Sequence, residues 1–491
     1  MTQQKALDRC DLVMRWAFCS LIFFVPISTA LVESFFGLIL LTFFIKRGVV
    51  IIPEINAQIR RGVSPFSLER WKAYADFFRP SPSFLNVPIG VFLLINFLSV
   101  LFSPYPLLSL RGVIFKLFEN IYLYFAFVEC MTARRAINAF LTVFVGSAML
   151  IGASGVTQFV TGRDFIYGNL LGGGRVMASF KHPNDYGSYL LIAIFVLLGL
   201  VMASFSRRGA EPRGQLDRVL FHNRALLLLI LVVNIACLGF TFSRGAWVGF
   251  SAAVFLLILL DRRGGIASLI ILCLFFMVFT PLLVKNRNVS FTSDDVRWTE
   301  SQELQKKELE SQSAPSPGPE TAVSSSLKES VGEVIERIKN FTGCGRTDNF
   351  WAGAFHVIRK YPVFGSGYNT YQKVIESDHK IPQAYPHNCY LQMAAETGVI
   401  GLAAFLWVIG LLIVKSLAAL PLIRDPHVSG TLGGLLAGLG GFFTHAAFDT
   451  NFYSVQLGSL MWVMMGLAVA LRSAGLADSR PGAGAGERQA G

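Results

Sequence analysis

The chain has 491 residues, 53% of them apolar and only 15% charged, where an ordinary soluble domain carries about a quarter charged residues. The apolar residues form long continuous runs, and a bilayer core takes about 20 apolar residues per helix. This points to an all-α polytopic membrane protein and away from a closed β-barrel, which needs alternating apolar and polar positions. The net charge of +12 argues against a nucleic-acid partner, because the Lys and Arg residues mostly lie in short segments between apolar runs, the positive-inside pattern.

The first apolar run follows a basic start at Lys5, Arg9 and Arg15. No small-residue cleavage site separates it from a polar domain, so it is read as a spanning helix. The stretch from Leu12 to Ile45 is long enough for two short passes that turn near Pro26, Ser28 and Thr29. A single kinked helix there would invert everything that follows. A basic, partly amphipathic segment comes next, with Arg60, Arg61, Arg70, Lys72 and Arg79. The third pass runs from about Phe84 to Phe102 and ends at an external loop, Ser103 to Pro106, with Arg111 just beyond. The fourth returns to Arg134-Arg135.

The fifth pass, about Ala136 to Val160, leads outside to an irregular glycine-rich loop from Arg163 to Asp185. The sixth returns to a basic inner segment that includes Arg207, Arg208, Arg213, Arg218 and Arg224. The seventh ends outside at Ser243-Arg244-Gly245-Ala246-Trp247, and the eighth returns at once to Asp261-Arg262-Arg263. The ninth goes out near Lys285. The region that follows opens with a polar, low-complexity insert, about 300–330, expected to be flexible.

Farther on, Phe350, Trp351, Ala354, Phe355 and Ile358 share one face at helical spacing. Thr347 or Asp348 can cap that helix and Pro362 can end it, giving an amphipathic helix in the membrane surface. A turn built on Gly365 and Gly367 leads through a polar stretch to His387-Asn388, where the tenth pass begins. It ends near Lys415. The eleventh runs from about Thr431 to the polar cluster His445 to Asn451, and the twelfth ends at Arg472. About twelve helices with both ends inside satisfy the charge rule. The division expected is 1–284 for helices one to nine, 285–388 for a large external loop whose structured part is about 346–388, 389–472 for the last three helices, and 473–491 for a disordered inner tail.

The seven cysteines contain no CxxC pair and no zinc spacing. Cys10, Cys19, Cys130, Cys237 and Cys273 lie in or beside apolar runs as packing residues. Cys344 and Cys389 fall in the external region, where an oxidising compartment would allow a disulfide.

Four polar clusters therefore share one side: Arg163 to Asp185, Ser243-Arg244, Arg346 to His387, and His445 to Asn451. Arg175 follows Gly172, Gly173 and Gly174, a run that lets backbone amides approach an anion. The planar fork of arginine suits phosphate oxygens, and external arginines run against the charge rule, so something anionic is expected outside. The alternative is that Arg175 and Arg244 reach to lipid headgroups or pair with Asp185 or Asp449. His387 is the best general base, because histidine titrates near neutral pH. The alternative is a helix-capping or interfacial histidine. His182, His356, His379 and His445 share that side without joining a turn, an Asn and a helix start. The GSGYNTY segment lacks the Lys-Ser/Thr of a phosphate-binding loop. No HExxH metal motif and no GxSxG nucleophile turn occurs.

The succession SFKHPNDYGSYL, TFSRGAWVG, RTDNFWAGAFHVIRKYPVFGSGY and PHNCYLQMAAETGVIGL resembles the O-antigen ligase and polymerase superfamily, over about Arg163 to Leu402. The resemblance implies a bacterial inner-membrane glycosyltransferase with a helical, GT-C-like fold and a large periplasmic loop containing amphipathic helices. Its members take a glycan from an undecaprenyl-diphosphate carrier on the periplasmic face. Ligases pass it to lipid A-core, polymerases to another lipid-linked glycan, and relatives to protein. The family's loop histidine falls on His387, which would deprotonate the acceptor hydroxyl. Its diphosphate-binding arginines fall on Arg244 and Arg175, with Arg346 a third. Asn388, His182 and Asn184 sit in the same motifs as supporting residues. That arrangement implies no metal and no cofactor, and direct displacement with inversion. The insert around Ser311 to Ser326 departs from the compact ligase pattern, near where an acceptor would sit. The ligase label is preferred by resemblance, with polymerase and protein glycosylation as alternatives. A transporter would also suit the helix count, but no internal repeat relates the halves, and the polar residues gather at one face instead of the midplane.

Overall fold

The computed structural model describes residues 3–64, 66–205, 223–260, 262–287, 351–377 and 385–479. Arg346, Cys344, His379, the 300–330 insert, the inner segment at Arg207 to Arg218 and the residues beyond 479 lie outside them. Among the described residues the regular structure is helical, with two isolated β-bridges. Six of the described helices are long and apolar enough to cross a membrane, and three shorter apolar helices accompany them among the described residues. The protein is an all-α membrane protein.

The first two passes are separate helices. Helix α1, Gln3–Phe24, and α2, Thr29–Arg60, are joined at Val25 to Ser28, where Ser28 accepts from Leu31 N and caps α2. Lys46 of α2 pairs with Asp11 of α1 at 2.6 Å, and Gln3 reaches Val49 O at 3.0 Å. The two helices are thus antiparallel, as the two-pass reading expects. Helix α3, Leu68–Phe78, is short, and α4, Asn86–Leu101, follows. Helix α5, Pro106–Gly112, passes through a π-helical turn, Val113–Phe118, into α6, Glu119–Cys130. Then come α7, Arg134–Thr161, and α8, Pro183–Ser204.

Helices α9, Arg224–Phe240, α10, Arg244–Leu260, and α11, Arg262–Arg287, precede the region outside the description. Helix α12, Ala352–Lys360, ends at Tyr361-Pro362 as expected, and α13 is Tyr371–Glu376. Helices α14, Cys389–Ala419, α15, Pro426–His445, and α16, Val455–Asp478, close the bundle. Ala354 and Val357 are buried against Tyr371, Ile375 and Ala395, whereas Phe355 is 46% exposed. Positions 351, 354, 355 and 358 fall within one apolar stripe at helical spacing, of which Ala354 faces protein and Phe355 is exposed.

Helix α15 is the axis of the bundle, because its glycines let neighbours approach to backbone contact. A Cβ added at Gly434 would collide with the carbonyl oxygen of Phe195 on α8, and one at Gly199 of α8 with that of Gly430. On α10, a Cβ at Gly249 would stand 2.5 Å from Gly441 O. These contacts fix the ends of α8, α10 and α15 relative to one another.

The two ends of the bundle differ in charge. At one end Lys46 pairs with Asp11 and with Glu129, Arg47 with Glu129, Arg15 with Cys130 O, and Arg134 with both Asp425 and Asp478. At the other end the loops interlock. Ser179 donates to Pro26 O, Tyr167 to Ile27 O at 2.9 Å, and Gln456 to Val25 O at 2.6 Å. The candidate site lies at this second end.

Candidate functional site

The 163–185 loop is held from beneath by Gln158, which is fully buried near the end of α7. Its Oε1 accepts from Met177 N and Ala178 N, both at 2.8 Å, and its Nε2 donates to Asn169 O at 3.0 Å. Asp164 is also buried. Its carboxylate accepts from the amides of Ile166, Tyr167 and Asn169, which makes it a structural residue of the loop. The glycine run does not form an open anion cradle. Gly173 and Gly174 are left-handed at φ 62° and 75°, and Gly172 and Arg175 exchange backbone bonds across them. This is a tight two-residue turn that glycines make at little cost, and it uses the amides of Gly172 and Arg175. The turn delivers Arg175, whose Nε donates to Thr241 O at 2.7 Å and whose Nη2 donates to Asn184 Oδ1 at 2.8 Å. Arg175 thereby ties this loop to the α9–α10 turn and to the start of α8.

His182 caps α8 through Nδ1, which accepts from Asn184 N at 3.2 Å. One turn further, Ser188 lies 2.9 Å from His445 Nδ1, and Asn451 Nδ2 lies 3.4 Å from the same nitrogen. His445, the last residue of α15, is 1% exposed. Arg244 is exposed at the first position of α10. Its neighbour Gly245 lies so close to α15 that a Cβ there would stand 2.8 Å from both His445 and Phe448, so Arg244 borders the same patch.

The segment carrying His387 enters this patch from the other side. Asn388 caps α14, its Oδ1 accepting from Tyr390 N at 3.0 Å and Leu391 N at 3.1 Å. Cys389 is buried with a free thiol, and it pins the helix start to the α15–α16 loop. Its N donates to Ala446 O at 2.8 Å, and its Sγ lies 3.1 Å from Asp449 O. His387 is left-handed at φ 44°, a conformation that costs a non-glycine residue about 1–2 kcal/mol. Ala178 and Phe242 are left-handed as well, at φ 48° and 47°. Strained backbone therefore gathers where these three loops meet, as it does at functional sites.

In this position His387 Nδ1 lies 3.5 Å from Asp449 Oδ1, with side-chain exposures of 40% and 11%. Burial alone raises the Asp449 carboxyl, but its hydrogen bond with His387 holds it well below the ordinary carboxylate range. An ionised carboxylate can only accept, so the hydrogen bond between the two runs from His387 Nδ1 to Asp449, the arrangement that orients a catalytic histidine.

The α14 side of the site has its own brace. Gly398 interrupts α14 at φ 74°, where a Cβ would collide with Val363 O, and Gly365 and Gly367 face that break at φ 71° and 103°. Glu396, just before the break, is fully buried and accepts from Asn369 N at 2.9 Å and Tyr371 N at 3.2 Å. The glycine turn read from the sequence is thus a clasp on the histidine-bearing helix.

The structure brings together Arg175, His182, Asn184, Arg244, His387 and Asn388, and adds Ser188, His445, Asp449 and Asn451. Asp449 was signalled only as one acidic residue in an external polar cluster, and nothing local marks it as the partner of a histidine 62 positions away. His356 is exposed on α12. Among the described residues no three His, Cys, Asp or Glu side chains converge on a metal position. Residues 225–406 match the family model of the O-antigen ligases. That span contains Arg244, Arg346 and His387, and leaves Arg175 before it and Asp449 after it. No curated protein matches the chain. The match over residues 225–406 supports the O-antigen ligase/polymerase superfamily.

Proposed function

We propose that this protein is an O-antigen ligase-like glycosyltransferase that moves a glycan from an undecaprenyl-diphosphate carrier to lipid A-core, at the periplasmic face of a bacterial inner membrane. The observation that carries this reading is His387, held in a strained turn at the mouth of an apolar helix with a buried carboxylate at its Nδ1, within a segment of the ligase family. Nε2 of His387 takes the proton of the acceptor hydroxyl. The freed oxygen attacks the anomeric carbon from the face opposite the diphosphate, forming the new C–O bond. The old anomeric C–O bond breaks, its electron pair goes to the diphosphate, and the configuration inverts. Arg244 meets the charge that builds on the leaving diphosphate. Arg175, braced on Thr241 and Asn184, adds a second positive charge at the same patch, and Arg346 is proposed as a third. With arginines in that role the reaction proceeds without a metal ion.

The charge asymmetry of the bundle supports the orientation, since the end rich in Lys and Arg suits the cytoplasmic side and leaves His387 outside. Gathering of the polar groups at one end, not at mid-depth, favours a carrier-headgroup enzyme over a transporter. The test is turnover of an undecaprenyl-diphosphate glycan by the purified protein in the presence of chelator and lipid A-core. Glycan on lipid A-core supports the ligase reading. Longer glycan on the carrier replaces it with a polymerase, and no transfer to lipid, glycan or protein acceptors overturns it.

A further inference from the structure

His445 closes α15 where three other segments meet, and the reaction described above gives it no part. Its Nδ1 lies 2.9 Å from Ser188 Oγ on α8 and 3.4 Å from Asn451 Nδ2 in the α15–α16 loop. Its ring edge faces Gly245 on α10, where a Cβ would stand 2.8 Å from His445 Cδ2. Beside Ser188, Gly187 lies so close to α10 that a Cβ there would stand 2.9 Å from that of Ala246. Ser188, His445 and Asn451 are all buried, which sets them behind the surface that a substrate would meet. Apolar side chains would fill such a space at lower cost, because buried polar groups give up their water. What polar contacts add is one defined arrangement of the elements that carry them.

The elements held here carry the two halves of the reaction. On one side Ser188 donates to Asn184 O at 3.0 Å, and Asn184 Oδ1 accepts from Arg175 Nη2 at 2.8 Å. Arg244 directly precedes Gly245, the residue that His445 touches on α10. On the other side the loop that follows His445 carries Asp449, 3.5 Å from His387 Nδ1, and then Asn451. From this arrangement we infer that His445 is a positioning residue of the transfer reaction. Through Ser188 and Asn451 it fixes the base at His387 in register with the arginines at the leaving diphosphate. The inference rests on the glycan-transfer reading of the site. A misplacement of about 1 Å between reacting groups can cost about a hundredfold in rate, while each half keeps its own binding groups. Loss of the link therefore lowers kcat and leaves substrate binding in place.

The test uses the full-length protein in the transfer assay, with donor binding and thermal melting measured on the same preparations. His445→Leu removes the polar edge of the ring. His445→Asn restores it, because asparagine branches at the same atom as leucine and puts a polar atom as many bonds from the backbone as Nδ1. Ser188→Ala removes the hydroxyl alone and suits a helix interior, so it decides the matter even where His445→Leu does not fold. The expected kcat is lower by about tenfold or more in His445→Leu, and by about threefold to tenfold in Ser188→Ala, the scale of one hydrogen bond. Donor Kd and acceptor KM stay at their wild-type values. His445→Asn recovers most of the loss, and adding Ser188→Ala to His445→Leu costs nothing further, since both break one link. Wild-type kcat in Ser188→Ala, a loss that falls on donor Kd or acceptor KM with kcat intact, or His445→Asn no more active than a folded His445→Leu overturns the inference and leaves the glycan-transfer reading standing. Absence of transfer by wild type overturns that reading and the inference with it.

Discussion

Replacing Asp449 with Asn isolates the charge at the heart of the site. The change keeps shape, and Oδ1 can still accept from Thr450 N, now at 2.8 Å. The bonds that pin α14 to this loop go to the backbone oxygens of Ala446 and Asp449, so they survive. What is lost is a full negative charge 3.5 Å from His387 Nδ1, which steadies the imidazolium formed when the acceptor gives up its proton. Opposite unit charges near 4 Å attract by about 1 kcal/mol in water and about 4 kcal/mol at an effective dielectric of 20. With His387 40% exposed and Asp449 11% exposed, the pair sits between those limits. About 2 kcal/mol is the corresponding loss, or roughly thirtyfold in kcat. The assay is glycan transfer under saturating donor and acceptor, with folding checked by thermal melting in detergent. A kcat within twofold of wild type, in a variant that melts normally, would refute the role given to Asp449.

Arg244→Lys keeps the charge and removes the fork, so donor affinity should fall about tenfold, measured by titration with undecaprenyl-diphosphate glycan; unchanged affinity would assign Arg244 a structural role. Gly434→Val places side-chain atoms against the carbonyl of Phe195, and should cost at least about 2 kcal/mol, seen as a lower melting temperature and lost activity; a normal melt would show that α8 and α15 can separate freely. Burial raises the Asp425 carboxyl, but Arg134 holds it below the ordinary range. That pairing contributes stability in full above about pH 5, and the contribution disappears as the pH falls past about 4 and through the lowered folded value. The melting difference between wild type and Arg134→Gln should therefore shrink on acidification from pH 6 to pH 3, and a difference constant across that range would contradict the assignment.

Much of the helical frame was legible because its punctuation is local. Pro26 and Ser28 mark the first turn, Ser243-Arg244 the α9–α10 turn, and Pro362 and Asn388 the ends of neighbouring helices. Which faces pack was less legible. Helices inside a membrane are apolar all round, so α8 and α16 show little periodicity although both are largely buried. On α12 a face drawn from apolar spacing does not say which residue meets protein, as Ala354 does, and which stays exposed, as Phe355 does. His387 could be found because a turn, an Asn and a helix start converge on it in sequence. Asp449, Gln158 and Glu396 act across long stretches of chain, and a lone polar residue near an apolar run has many meanings until the fold supplies its partner. The glycines before Arg175 show the same limit, since a run that permits an anion cradle equally permits the tight turn that forms.

The most direct test of the central claim is a single-turnover transfer experiment with His387→Ala beside wild type, with donor binding measured separately on the same preparations. General-base catalysis is worth about 10²–10⁴-fold. The account predicts that His387→Ala binds the undecaprenyl-diphosphate glycan as wild type does and transfers it slower by that factor. Transfer at the wild-type rate in a folded His387→Ala protein would contradict it.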